Sequence, residues 1–495
     1  MIRLLEFLIA AFATWLKARL APPAKATPNL EPPDRSHDTI SIGTTTDAEG
    51  LFTVPVQLAH TWLDRPCYIV GGSGGGKTNF VMVLIDYLLA RLSADTSANG
   101  SSARASSLVV IDFRQDLLFR VMMAAVRHGG NELAKRTYIF EFSRLDELFF
   151  CFNLLSASCG IGDPYTRSGL LLAIIESLSL SWGTLIQECG RHTLFVLACA
   201  GRSLADAPRL LSDASFRASL LRQVDDELTL LWFAQYDAAK RPQDLSGPFL
   251  NKLSHFLTRP EIRRWVSSDQ STSFSEILNG EEGMLILIGL SADTLSEPVA
   301  RLLGGLLLGA ITQVILARTS VPEADRKPVK IICDEFQNIC NLPTFPVLLS
   351  EGRRYKAAGV YLHQFADQLG TIRPCVIGNS ALHAYFQTDA AQATVLAPNV
   401  TSELSALAVK ELLVSQPSGH CVLIRRGEPS IRLRVHHYRD PADVTPAMVE
   451  AFRQACFAKV RPVPSRALSQ PAVPTPPSLT TQESEVLHVS RPDID

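Results

Sequence analysis

The sequence predicts an α/β protein: a mostly parallel central sheet with an all-α domain inserted into it. Three observations carry that prediction. Continuous apolar runs such as "LVVIDF" (108–113) and "TYIFEF" (137–142) read as strands buried on both faces, the habit of parallel sheets. Strand-like and helix-like segments alternate on either side of a block where only the helical period is found. A glycine-rich stretch, "CYIVGGSGGGKTNF" (67–80), joins an apolar strand directly to a helix.

At 495 residues the chain is too long for one compact core. Residues 1–20 form a short apolar helix, apolar from Leu4 to Leu16 except for Glu6, with Lys17 and Arg19 following. That is shorter than the ~20 residues a bilayer span needs, and no small-residue cleavage site follows. Three readings stay open: a helix lying on the inner face of the cytoplasmic membrane, one docking on a partner, or one packed on the protein's own core. Residues 21–39 are a Pro-rich linker. The α/β domain takes 40–151 and 280–440. Its first part starts with two short strands around a turn, and its second part resumes with "MLILIGL" (284–290), "VKIICDEF" (329–336), "GVYLHQ" (359–364), "HAYFQT" (383–388) and "HCVLIRR" (420–426). Residues 152–279 are the all-α insertion, 441–461 a C-terminal helix, and 462–495 a Pro/Ser/Thr-rich disordered tail.

Composition excludes some classes. Lys plus Arg is 47 against 49 Asp plus Glu, a net charge of −2, so nothing supports a protein basic over its whole surface, although a basic channel is compatible. None of the ten cysteines forms a Cys-x-x-Cys pair or a Cys/His cluster with zinc spacing. They read as reduced thiols of a cytoplasmic protein.

Gly71-Gly72-Ser73-Gly74-Gly75-Gly76-Lys77-Thr78 satisfies G-x-x-x-x-G-K-[ST] between a strand and a helix. Gly71, Ser73, Gly74, Gly75 and Gly76 shape a backbone cradle for phosphate oxygens at the positive end of the helix. Lys77 would reach the β/γ-phosphates of ATP, and the Thr78 hydroxyl would hold Mg²⁺. Two strands end in a carboxylate that could face the metal, at Asp112 and Asp334. Only Asp334 is followed by an acid, so Asp334 is assigned to the magnesium shell and Glu335 to the attacking water. Asp112 is read as capping the next helix or lining the cleft, and remains the alternative. Gln364 ends an apolar strand; it is either a γ-phosphate sensor or simply a polar strand end. His363 is read as a core histidine. Arg353, Arg354 and Lys356 precede that strand, and on their own they read as a solvated helix end rather than as arginine fingers.

In combination these pieces resemble the HerA/FtsK class of P-loop ATPases, and within it the type IV coupling proteins of conjugation and secretion. The matching stretches lie between residues 40 and 430: the glycine loop, "LVVIDFRQDLL", "FNLL" (152–155), "GMLILIGL", "ARLLGGLLLGAI", "VKIICDEFQNI", "EGRRYKAAGVYLHQFADQL" and "VIGNSALHAYFQTDAAQAT". The resemblance implies a RecA-like P-loop NTPase domain in a homohexamer that hydrolyses ATP with Mg²⁺ between subunits. It implies DNA in the pore, and secretion-channel or relaxosome proteins docked on the all-α domain. It makes Gln364 the γ-phosphate sensor and Arg353 or Arg354 the finger acting on a neighbour's ATP. The chain departs from that pattern in three places. Coupling proteins usually start with two membrane-spanning helices, where this sequence offers one short apolar segment. The large β-barrel that precedes the ATPase in HerA has no counterpart. The common D-x-K-G is Asp112-Phe113-Arg114-Gln115 here, which keeps the cation and loses the glycine of the turn.

The leading expectation is therefore an ATP-driven DNA translocase in the bacterial cytoplasm. The alternatives are a coupling ATPase or receptor for exported proteins, a HerA-like DNA-processing motor, and a non-hydrolysing nucleotide-dependent scaffold. Glu335 argues against the last.

Overall fold

In the computed structural model the described residues are 38–46, 53–94, 106–144, 150–267, 271–291, 293–402 and 404–458. The apolar start at 1–20, nearly all of the linker and the tail from 462 lie outside them.

Among the described residues eleven strands form one sheet: β1 (Thr39–Thr46), β2 (Thr53–Ala59), β3 (Cys67–Val70), β4 (Ser107–Asp112), β5 (Thr137–Glu141), β6 (Leu285–Gly289), β7 (Val329–Cys333), β8 (Ala357–His363), β9 (Leu382–Phe386), β10 (His420–Arg425) and β11 (Ile431–Val435). Their spatial order is β2-β1-β11-β10-β9-β3-β8-β7-β4-β6-β5. From β9 to β5 every neighbouring pair is parallel. From β9 outward through β10, β11, β1 and β2 the pairs are antiparallel. Every residue of β3, β4, β6, β7, β8 and β9 is buried, which is why these strands read as largely apolar runs, with Lys330 in β7 and His383 in β9 among the buried polar exceptions. Toward the antiparallel edge burial alternates, as in β11, where Leu433 and Val435 face inward and Arg432 and Arg434 outward. The sequence reading has no strand at β11, because alternation over five residues leaves no apolar run.

The helical block between Pro164 and Asn279 belongs to the same compact unit as the sheet. Its helix starts are encoded locally. Asp163, Asp213 and Asp226 each accept a backbone N–H from the first turn of the helix they cap. The root of the block is aromatic: Trp265 lies edge-on to Phe142, with ring centroids 5.0 Å apart, and Phe152 packs on Phe274 at 5.3 Å. Those contacts tie "FNLL" to the end of β5.

Among the described residues one helix, Glu297–Ser320, is long and apolar enough to cross a membrane; its most apolar window is 83% buried inside the protein. It is the core helix between the sheet and the helical block. Gly305 permits that close packing, since a Cβ there would sit 3.0 Å from Ile174 Cγ2 and 3.2 Å from Leu342 Cδ2.

Candidate active site

Parallel connections bring the carboxyl ends of β3, β4, β7 and β8 to one edge of the sheet, where ligands of open α/β folds bind. β3 runs into the glycine loop there, and the helix Lys77–Ala94 follows. Gly71 has φ 157° and a Cβ on it would meet Phe386 Cβ at 2.5 Å, so the loop is pressed against β9. It is held from outside as well. Gly72 N–H donates to Gln387 O (2.7 Å), Gly419 N–H to Gly75 O (2.9 Å) and the Ser418 hydroxyl to Gly74 O (2.6 Å). Ser73 and Gly74 stay exposed at the mouth, beside first-turn N–H groups that have no intrahelical acceptor. Lys77 is buried and donates to Gly71 O (2.6 Å) and Gly72 O (2.9 Å). Burial depresses its ammonium, while Asp334 and Glu335 pull the other way and Arg114 adds to the depression.

Asp112 is wholly buried and accepts Arg114 N–H (2.8 Å) and Leu118 N–H (2.9 Å), so it caps the helix Asp116–Lys135. Gln115, at φ 73°, takes the left-handed position where the family pattern has glycine, so the turn survives without one. Asp334 follows β7 and is 8% exposed. Burial, then repulsion from Asp112 and Glu335, pushes its carboxyl up to about 7. Glu335 has a left-handed φ of 52°, a strained position of the kind concentrated at functional sites. Its Oε1 accepts Gln364 Nε2–H (2.8 Å) and lies 2.6 Å from Arg114 Nη2, and its Oε2 accepts Gln337 Nε2–H (2.7 Å).

The fold thus brings Lys77, Asp334, Glu335 and Gln364 to one edge of the sheet. It does not bring Arg353 and Arg354 there. Both are exposed, and they precede β8, whereas Gln364 follows it. Six strand steps separate the two ends, about 20 Å at ~3.3 Å per residue. His363 is the core histidine expected: its Nε2 is 2.7 Å from the Tyr68 hydroxyl, its ring packs edge-on to Phe336, and burial pushes it down to about 3.

The site's chemistry fits a polyphosphate with a divalent cation. A buried carboxyl that ionises only near neutrality, close to two further acids, gains from a cation nearby. Among the described residues no three His, Cys, Asp or Glu side chains form a metal cluster of their own. A cation here would share its shell with phosphate oxygens, water and Thr78, the habit of Mg²⁺. Sequence reasoning missed Gln337 as a donor to Glu335, the brace from Ser418 and Gly419, and any role for Arg114. Only Arg114 left a signal, as the cation kept in an altered motif.

Fold and site together define a RecA-like P-loop nucleotide-binding architecture. Comparison with protein-family models and with curated proteins gives no match. Solved structures do match. The bacterial conjugative coupling protein TrwBΔN70, unbound, aligns with TM-score 0.57 and 13% identity over 81% of this chain and 90% of its own. Plasmid coupling protein TrwB in complex with ADP and Mg²⁺ aligns with TM-score 0.53 and 14% identity over the same shares. VirB4 of Thermoanaerobacter pseudethanolicus aligns with TM-score 0.51 and 12% identity over 84% of this chain and 99% of its own. At these identities the likeness establishes the fold.

Proposed function

We propose that this chain is an ATP-driven, DNA-translocating motor that works as a homohexameric ring and feeds DNA to a type IV secretion or conjugation apparatus. The observation that carries the reading is Glu335, held beside Asp334 and hydrogen-bonded to Gln364 at the edge where the Lys77 cradle opens. A carboxylate so placed can take the proton of an attacking water, and a strand-end amide bonded to it can respond to the terminal phosphate. ADP and Mg²⁺ in the TrwB complex support the same ligands here, with Gly71, Ser73, Gly74, Gly75, Gly76 and Lys77 around the phosphates and Thr78 and Asp334 on the metal. When bound, the cation would polarise the phosphate oxygens. The chain's own residues hold the phosphates, position water and receive its proton. Arg353 or Arg354 would act on a neighbour's nucleotide, and the helical block would dock secretion-channel or relaxosome proteins.

The test is the assembly mass and turnover of the purified chain with a non-hydrolysable ATP analogue and with DNA. A sixfold particle that retains DNA, and ATP turnover stimulated by DNA, are expected. A monomer whose turnover ignores DNA would overturn the motor. Indifference to DNA with tight binding of an exported protein would redirect the cargo to protein.

A further inference from the structure

Arg114 is the cation at this edge that the chemistry above leaves without a task. Its guanidinium pairs with Glu335 at 2.6 Å, yet the Arg114 side chain is 50% exposed and that of Glu335 only 7%. Gln364 donates to the same oxygen at 2.8 Å, so an amide donor and the guanidinium charge converge on Oε1 while Gln337 holds Oε2. The Arg114 backbone is fixed: its N–H is bound by the buried Asp112, and Gln115 beside it makes a left-handed turn. The side chain therefore has a rigid root and a solvent-facing stem. Its charge also reaches Lys77 in the cradle. A terminal phosphate in that cradle would be a second anion within the same field, with more charge than a carboxylate and oxygens that match a guanidinium fork.

We propose that Arg114 senses the terminal phosphate by trading partners, leaving Glu335 for the phosphate and so freeing Oε1 for water. This rests on the ATPase reading. Arg114 is then a positioning residue for Glu335, and its contact depends on the third phosphate alone. A structural ion pair at this exposure would stabilise the fold slightly and would not distinguish ATP from ADP.

Calorimetric Kd values for Mg·ADP and for a non-hydrolysable Mg·ATP analogue, on the full chain, separate the two. Arg114→Gln should weaken the analogue about tenfold, the worth of one charged hydrogen bond, and leave ADP unchanged. Arg114→Lys should lose less. Glu335→Gln removes the competing anion, so it should tighten the analogue in the Arg114 background and have no such effect in the Arg114→Gln background. Unchanged ADP binding doubles as the fold control. Equal effects on both nucleotides, or none on either, overturn the exchange while the ATPase reading stands. Wild-type protein that binds neither nucleotide sinks the ATPase reading, and the exchange with it.

Discussion

Replacing Asp334 with asparagine should flatten the pH dependence of stability in nucleotide-free protein kept free of metal by a chelator. Burial, followed by repulsion from Asp112 and Glu335, pushes the Asp334 carboxyl from 3.8 to about 7. Between those values the folded chain keeps a proton that the unfolded chain has released. Stability from this group therefore falls as pH rises through that window. The slope is at most about 1.4 kcal/mol per pH unit, and the whole three-unit shift amounts to about 4 kcal/mol. Above pH ~7 the folded carboxylate is ionised and the deficit levels off. The amide carries no charge at any pH, and its oxygen can still accept the Glu335 N–H that Asp334 accepts at 2.9 Å. Urea midpoints from about pH 5 to 8.5 give the comparison, and titrating groups that do not interact with Asp334 cancel in the difference between the two proteins. The asparagine variant should gain on the wild type as pH rises, by a few kcal/mol at pH 8. Parallel curves would refute the buried-acid account of this site.

Glu335→Gln should lower ATP turnover by about 10²–10⁴-fold in a phosphate-release assay without weakening nucleotide binding, because it removes the proposed proton acceptor and not the cradle. Gly305→Leu should destabilise the chain by roughly 1–3 kcal/mol in urea unfolding, since a Cβ there already meets Ile174 and Leu342; full stability would show that the core helix does not pack on the helical block as described. A Lys77→Ala protein and an Arg353→Ala/Arg354→Ala protein should each be inactive alone. Mixed equally, they should regain turnover at about a quarter of interfaces, where an intact cradle meets an intact arginine pair.

Much of the site was legible because its chemistry is local. The cradle, Asp334-Glu335 and Gln364 each sit at the carboxyl end of a strand whose largely apolar run marks it as parallel and buried. Asp112 was legible too, as a strand-end acid that caps the following helix. The rest is tertiary. Gln337 looks like any loop glutamine until the left-handed backbone at Glu335 turns the carboxylate back toward it. The brace from Ser418 and Gly419 joins positions more than 340 residues apart, and no local pattern encodes that pairing. The same limit hid β11, whose register with β10 and β1 is fixed by pairing and not by an apolar run of its own.

The arginine pair shows why the mixing experiment is decisive for a ring. Two guanidiniums are buried beneath the turn that carries Arg353 and Arg354, and each is spent mainly on main-chain carbonyls, with Arg318 Nε–H donating to Asn279 Oδ1 at 2.9 Å. Arg326 donates to Arg354 O at 2.6 Å, and Arg318 to Tyr355 O at 3.2 Å and to Leu278 O and Lys327 O. Burial, with Arg326 nearby, pushes Arg318 down to about 10, so the charge is held there against a desolvation penalty. Such a mount fixes the turn while both displayed side chains remain exposed, at the end of β8 opposite Gln364. A rigid strand about 20 Å long cannot fold that pair onto the cradle of its own chain. The pair is therefore not placed to act on a triphosphate held in its own chain's cradle. If the pair acts on a second copy's triphosphate, as proposed, turnover returns in mixtures of the two inactive proteins, a result that no single-chain site can imitate.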